Sequence, residues 1–415
     1  MLPLNDPDSQ AGSLKSARKR KGWSQARLAA ALEQAARALG QLSDLPPAGR
    51  QTLIQYISYF ENGKRPVPER LWPIFREALQ CAGEDLGFAE ATASFGAARS
   101  PDLPAAHLQS SGSAVISSLQ RILATHIQAD SQIGPAYLIP GMQAQLPVVG
   151  QVCRVTRGAD HEDALRLASQ FTEFCGWLYQ DAGDYRCAMY WTDRALEFAA
   201  ELDDPRVLSY VLMRKSNIAT DAGQPGHGLG LANAALKRHF CLTPRLRAVA
   251  LRQRANAYAM LHEPADFAQD TEEALVQATA GTWQGEDDIA PYCTPSYVEM
   301  EAGASWLKLG TAGSAVPVFE DSRARWSATE QVRDHALCLA RLATAYAATG
   351  EPDQACAVAG ELITIANGLG SARVAGQVAD LRRSLSLWRS DSSVADLLHR
   401  LDTFQVPTYA GSSGG

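Results

Sequence analysis

The sequence predicts an all-α protein built from two kinds of helical domain, and three observations carry that expectation. Apolar residues recur at helical spacing over most of the chain, interrupted by Gly and Pro. Beyond residue 158 the pattern repeats itself. Charge is divided unevenly: residues 1–88 hold 12 Lys/Arg against 9 Asp/Glu, while the whole chain carries a formal net charge of -7. A small basic domain followed by a long acidic helical array accounts for all three.

At 415 residues, 46% hydrophobic and 20% charged, the chain has room for two or three domains and an ordinary globular composition. No apolar stretch approaches the roughly 20 residues needed to cross a bilayer, and MLPLNDPDSQ does not read as a signal peptide. The expected location is cytoplasmic, nucleoid-associated, with no membrane partner. The eight cysteines are scattered, without a CxxC pair or clustered Cys/His spacing, so they read as reduced packing residues rather than metal ligands.

The first domain spans 10–88. Two helices, Ser13 to Lys21 and Ser24 to about Leu39, are joined at Gly22, with Ser24 placed to cap the second. QLSDLPPAG (41–49) reads as a loop, and Arg50 to Phe60 resumes helical spacing with Leu53, Ile57 and Phe60 on one face. ENGKRPVPE breaks the chain before a short helix, Leu71 to Leu79. Inside residues 13–76, 12 basic residues face only Glu33, Asp44, Glu61 and Glu69, the local basic surface that phosphate binding requires.

The blocks WSQARLAAAL (23–32) and LIQYISYFENGKRPVP (53–68) resemble the lambda-repressor/Xre family of helix-turn-helix proteins. That resemblance implies a DNA-binding domain whose recognition helix turns Ile54, Gln55, Ser58 and Tyr59 outward. Gln55 would read adenine bidentately, Ile54 would meet a thymine methyl, and Tyr59 would reach a base or phosphate. Ser24 and Gln25 would touch the phosphate backbone, with Lys64 and Arg65 adding charge. Arg18 and Glu61 fall at positions that pair as a partly buried salt bridge in the family. The turn before the recognition helix, Gly40 to Gly49, is longer than the family's usual one. It resembles a variant of actinobacterial regulators, and it makes Arg50 and Gln51 possible extra contacts. Double-stranded operator DNA is the implied partner and a homodimer the implied form, because one small domain reads too few base pairs.

Residues 89–113, rich in Ala, Ser, Gly and Pro, read as a linker, and 114–157 as a helical connector. The repeats follow over 158–370. GWLYQDAGDYRCAMYWTDRAL (176–196) places Gly176, Tyr179, Gly183, Asp184, Tyr185, Ala188 and Ala195 at the small and aromatic positions of the tetratricopeptide consensus, which it resembles. Four further matches put turns at 223, 262, 310 and 350 after the first at 183. The expected fold is a tetratricopeptide-like α-solenoid, capped by 371–402 and followed by a disordered tail, 403–415.

Arrays of this kind present a concave groove lined by the first helix of each hairpin. The groove positions are Glu173, Trp177, Tyr210, Asn217, Arg252, Asn256, Tyr297 and Met300. Asn217 and Asn256 recur at one position of successive repeats, and such amides can hydrogen-bond an extended peptide backbone. The combination resembles peptide-sensing regulators of Gram-positive bacteria, implying a peptide or small-molecule effector. The expected function is therefore a sequence-specific DNA-binding transcriptional regulator. Two alternatives stand beside it: a protein-interaction scaffold with a vestigial helix-turn-helix, and a plasmid or phage maintenance regulator. No cofactor and no catalytic residues are expected: GHGLG (226–230) lacks a preceding strand, and HExxH and P-loop signatures are missing.

Overall fold

The structure, a computed structural model, describes residues 7–38, 45, 50–62, 67, 71–79, 105–280, 289–325, 332–366 and 369–403. The described residues separate into two compact units, one formed by those up to 79 and the other by those from 105. The described residues contain helices and turns but no strand.

In the first unit, α1 (Pro7–Arg20), α2 (Gln25–Ala38), α3 (Arg50–Glu61) and α4 (Trp72–Leu79) enclose one core. Helix α1 begins ahead of the expected Ser13. The chain leaves it through Gly22 at φ +66, and the Ser24 hydroxyl accepts from the Arg27 amide at 3.1 Å to start α2. Leu28, Leu32, Leu53, Ile57, Phe60 and Phe75 are buried together. Across this core the Arg18 guanidinium meets the Glu61 carboxylate in a bidentate pair, at 2.5 and 2.8 Å. The 41–49 loop except Leu45, the break containing Lys64 and Arg65, the ALQCAGEDLGF segment beyond Leu79, the linker up to 104 and the tail from 404 lie outside the described residues.

The linker expectation needs correcting at its far end. Helix α5 (Ala105–Ile133) begins nine residues before the expected connector, so 105–113 is helical. At Gly134, φ +75, the chain turns into α6 (Pro135–Val155), which carries Pro140 and Pro147 inside it. Six hairpins follow: α7 (Ala159–Asp181) with α8 (Tyr185–Leu202), α9 (Pro205–Asp221) with α10 (Pro225–Leu236), α11 (Pro244–Met260) with α12 (Pro264–Ala280), α13 (Pro295–Lys308) with α14 (Ala312–Arg323), α15 (Val332–Thr349) with α16 (Pro352–Ala366), and α17 (Ala372–Leu385) with α18 (Ser392–Thr403).

The hairpins share their local chemistry. Gly183, Gly223, His262, Gly310 and Gly350 all have positive φ, and each closes its first helix with a six-to-one backbone bond. Those bonds run from Asp184 to Tyr179, Gln224 to Ala219, Glu263 to Tyr258, Thr311 to Trp306 and Glu351 to Tyr346, at 2.9–3.0 Å. Three turns continue into x-Pro, so that Pro225, Pro264 and Pro352 open the second helix with φ already set. Between hairpins, Asp204, Thr243 and Thr294 cap the next first helix ahead of Pro205, Pro244 and Pro295.

The array also closes on itself. Helix α5 packs on both α7 and α15. Ser371, at the start of α17, donates to Asp181 at the end of α7 at 2.6 Å, and Ala372 abuts the Gly183 turn. A ring of first helices, rather than an open concave strip, is the result.

Candidate functional site

The ring encloses a cavity of about 560 Å³, within the range of small-ligand sites. Helix α5 and the first helix of every hairpin contribute to its wall. Trp177 on α7 is part of that wall. The indole Nε1 donates to Asp130 Oδ2 on α5 at 2.8 Å, and three guanidinium groups surround the ring: Arg333 at 4.7 Å, Arg214 at 5.0 Å and Arg373 at 5.3 Å from its centroid.

Most of the charges here are paired within the wall, as buried charges must be. Arg214 Nε donates to Glu173 at 2.6 Å and its Nη2 to Gln180 at 2.8 Å. Arg333 reaches Asp130 at 2.5 Å and lies 3.6 Å from Asp181. Glu301 accepts from Arg341 at 2.9 Å and faces Arg252 at 3.7 Å, while Arg252 also donates to the Tyr297 hydroxyl at 2.8 Å. Burial pushes the Glu301 carboxyl up, but Arg341, Arg252 and Arg373 outweigh it and hold the group well below the usual range. At Glu173 burial prevails over Arg214 and the carboxyl is raised. Burial likewise raises the Tyr210, Tyr292 and Tyr297 phenols.

Part of the wall is apolar. Leu123 and Ile127 from α5, Phe174 from α7 and Val207 and Val211 from α9 line that part, with Ile289 beside them. Polar groups return beyond it, where Arg166 and Arg206 both pair with Asp204.

Compared by sequence, the chain matches no family profile and no curated protein. Solved structures do match. One is BtubC (BKLC) from P. vanneervenii, 18% identical with a TM-score of 0.40, covering 56% of this chain and 90% of that one. Another is a Rap protein complexed with competence and sporulation factor, 14% identical with a TM-score of 0.43, covering 64% and 84%. A third is a Podosopora anserina kinesin light chain protein with nearly identical TPR-like repeats, 18% identical with a TM-score of 0.34, covering 48% and 94%.

Six of the expected groove residues, Glu173, Trp177, Tyr210, Asn217, Arg252 and Tyr297, line the cavity. The other two do not: Met300 is fully buried in the core, and the Asn256 oxygen accepts from Lys308 Nζ at 2.7 Å. Asn217 is engaged inside the array, accepting from Gln180 at 2.8 Å and donating to Gln253 at 2.9 Å. The amides thus join repeat to repeat. Gln180, Gln253, Asp130, Arg333 and Arg373 escaped the sequence reading. Arg214 and Glu301 also escaped it, although a signal existed for these two: like Glu173 and Arg252, they precede their hairpin turn by about two and a half helical turns.

In the first unit, Leu53, Ile57 and Phe60 are buried, Gln51 and Gln55 are exposed, and Ile54, Ser58 and Tyr59 are half-buried. Gln55 donates to the Tyr59 hydroxyl at 2.9 Å. Gln25 donates to Glu61 at 2.8 Å and Arg50 pairs with Glu33 at 2.5 Å, so both side chains have protein partners. Among the described residues no cluster of His, Cys, Asp and Glu could hold a metal ion, and no helix is long and apolar enough to cross a membrane.

Proposed function

We propose that the hairpin ring is a receptor for a small ligand and that the chain is a ligand-responsive, DNA-binding transcriptional regulator, working as a homodimer on paired half-sites. The observation that carries the receptor reading is the cavity around Trp177, to which α5 and all six first helices contribute. A ligand there touches every repeat, so its binding energy can favour one arrangement of the ring over another. A small-molecule effector fits better than an extended peptide, since the array closes and the Asn217 amide is already bonded.

Support for the DNA arm comes from α3, whose buried face leaves Gln51 and Gln55 exposed, and from the basic balance of residues 13–76. A protein-interaction scaffold is the second reading. It is favoured by the internal engagement of Gln25 and Arg50, and by Ile133 and Tyr137, 42% and 70% exposed on either side of the α5–α6 turn. Electrophoretic mobility shift with DNA from upstream of its own gene separates the two. The regulator binds that DNA more tightly than random sequence and loses the preference in Gln55→Ala/Tyr59→Ala. Equal binding to random DNA, unchanged in the variant, favours the scaffold.

A further inference from the structure

Among the arginines lining the cavity, Arg166, Arg206, Arg214, Arg252 and Arg333 each have a carboxylate within ion-pair distance. Arg373 has none among the described residues, and none of its N–H donors makes a hydrogen bond there. Its guanidinium lies over Trp177, in the company of two guanidiniums that are already neutralised. Five N–H donors with no protein acceptor, on a half-buried guanidinium held against an aromatic ring, suit a planar anion. Burial opposes the charge on Arg373, but Glu301, Asp221 and Asp181 outweigh it and its pKa is raised.

Two further features narrow the anion. Asp334 lines the same cavity, also without a cationic partner at ion-pair distance among the described residues, and its field acts against a second negative charge on the ligand. The apolar part of the lining is Leu123, Ile127, Phe174, Val207 and Val211. Along α7 the lining runs from Trp177 to Arg166, a length of roughly 16 Å at 1.5 Å per residue. A cation without an ion-pair partner, in a cavity whose α5, α7 and α9 walls carry apolar side chains, matches an amphipathic acid with a single charge.

We propose that the ring binds a monocarboxylate with an extended apolar body, its carboxylate on the Arg373 guanidinium beside Trp177 and its hydrocarbon along α5, α7 and α9. This rests on the receptor reading above and specifies the chemistry of that receptor's ligand.

Isothermal titration of the full chain with decanoate, decanol and decyl phosphate, each below its micelle concentration, tests it. Decanoate is expected to bind one site per chain, roughly tenfold to a hundredfold tighter than decanol, the range for a hydrogen bond to a charged group. Shortening decanoate to octanoate weakens binding by roughly tenfold, two methylenes' worth of burial. Arg373→Gln brings decanoate down to the affinity of decanol and leaves decanol unchanged. The comparison of head groups on the unaltered chain gives the same answer if that variant folds poorly. Equal affinity for decanoate and decanol, tighter binding of decyl phosphate than of decanoate, or full decanoate affinity in a folded Arg373→Gln protein overturns the monocarboxylate assignment while leaving a receptor. Absence of binding by all three probes overturns the assignment, and the receptor reading falls with it only if 1-anilinonaphthalene-8-sulfonate also finds no saturable site.

Discussion

At the turn between α11 and α12, His262 takes up φ +59, where the other four turns of the repeat set have glycine. A side chain in that region costs about 1–2 kcal/mol, part of which glycine would give back through its larger unfolded-state entropy. His262→Gly is therefore expected to stabilise the array by about 0.5–1 kcal/mol, read as a raised thermal midpoint. Glu301 makes a different residue-scale argument, because Arg252 and Arg341 both depend on it. Its folded pKa lies below the ordinary glutamate value of 4.5, so its stabilisation is complete above that pH and is lost as pH falls through the depressed value. Glu301→Gln leaves two buried guanidiniums short of a counter-charge and should cost about 3–5 kcal/mol at neutral pH. The gap between variant and parent in denaturant titrations should narrow steadily below pH 4.5. A gap that stays constant to acid pH would show that the carboxylate charge is not what is lost.

Within the hairpins, small residues decide how closely two helices can lie. A Cβ on Gly228 would sit 2.3 Å from Thr220 Oγ1 and 3.1 Å from the Ser216 carbonyl, whereas one on Gly230 meets nothing within 4 Å. These glycines are two positions apart on α10, yet alanine should act oppositely at them. Gly228→Ala should destabilise by about 1–3 kcal/mol through overpacking, while Gly230→Ala should stabilise by up to about 1 kcal/mol through helix propensity. Comparison of their unfolding midpoints checks both. Such elements are legible in the sequence because their causes are local: a Gly-x-Pro turn, an Asp or Thr cap before Pro, and a glycine where helices cross. That is why the tetratricopeptide resemblance could put turns at 183, 223, 262, 310 and 350, including the one occupied by histidine. The start of α5 was misplaced for the converse reason. Its first turns are Ala-, Ser- and Gly-rich, and composition alone did not distinguish that helix from a linker.

Over the whole molecule, the decisive contacts are between residues far apart in the chain. Arg333 and Asp130 are 203 positions apart and Ser371 and Asp181 are 190 apart, so no local pattern announces that the array closes. Groove positions carried over from the tetratricopeptide resemblance include six residues of the cavity wall, Glu173, Trp177, Tyr210, Asn217, Arg252 and Tyr297. That resemblance could not find Asp130 or Arg373, which come from helices outside the repeat template. The amides at 217 and 256 were legible as recurrent, but not the direction of their hydrogen bonds, which run to neighbouring helices. The central claim is that the space inside the ring takes up a ligand. The most direct test is titration of the full chain with 1-anilinonaphthalene-8-sulfonate, an apolar monoanion, followed by its fluorescence. Ala124 lines the cavity from α5 and is exposed, so Ala124→Trp fills space without displacing packed core. One saturable site per chain, lost in Ala124→Trp while the thermal midpoint is kept, is the predicted result; saturable binding that survives in the folded variant, or no saturable site at all, would contradict it.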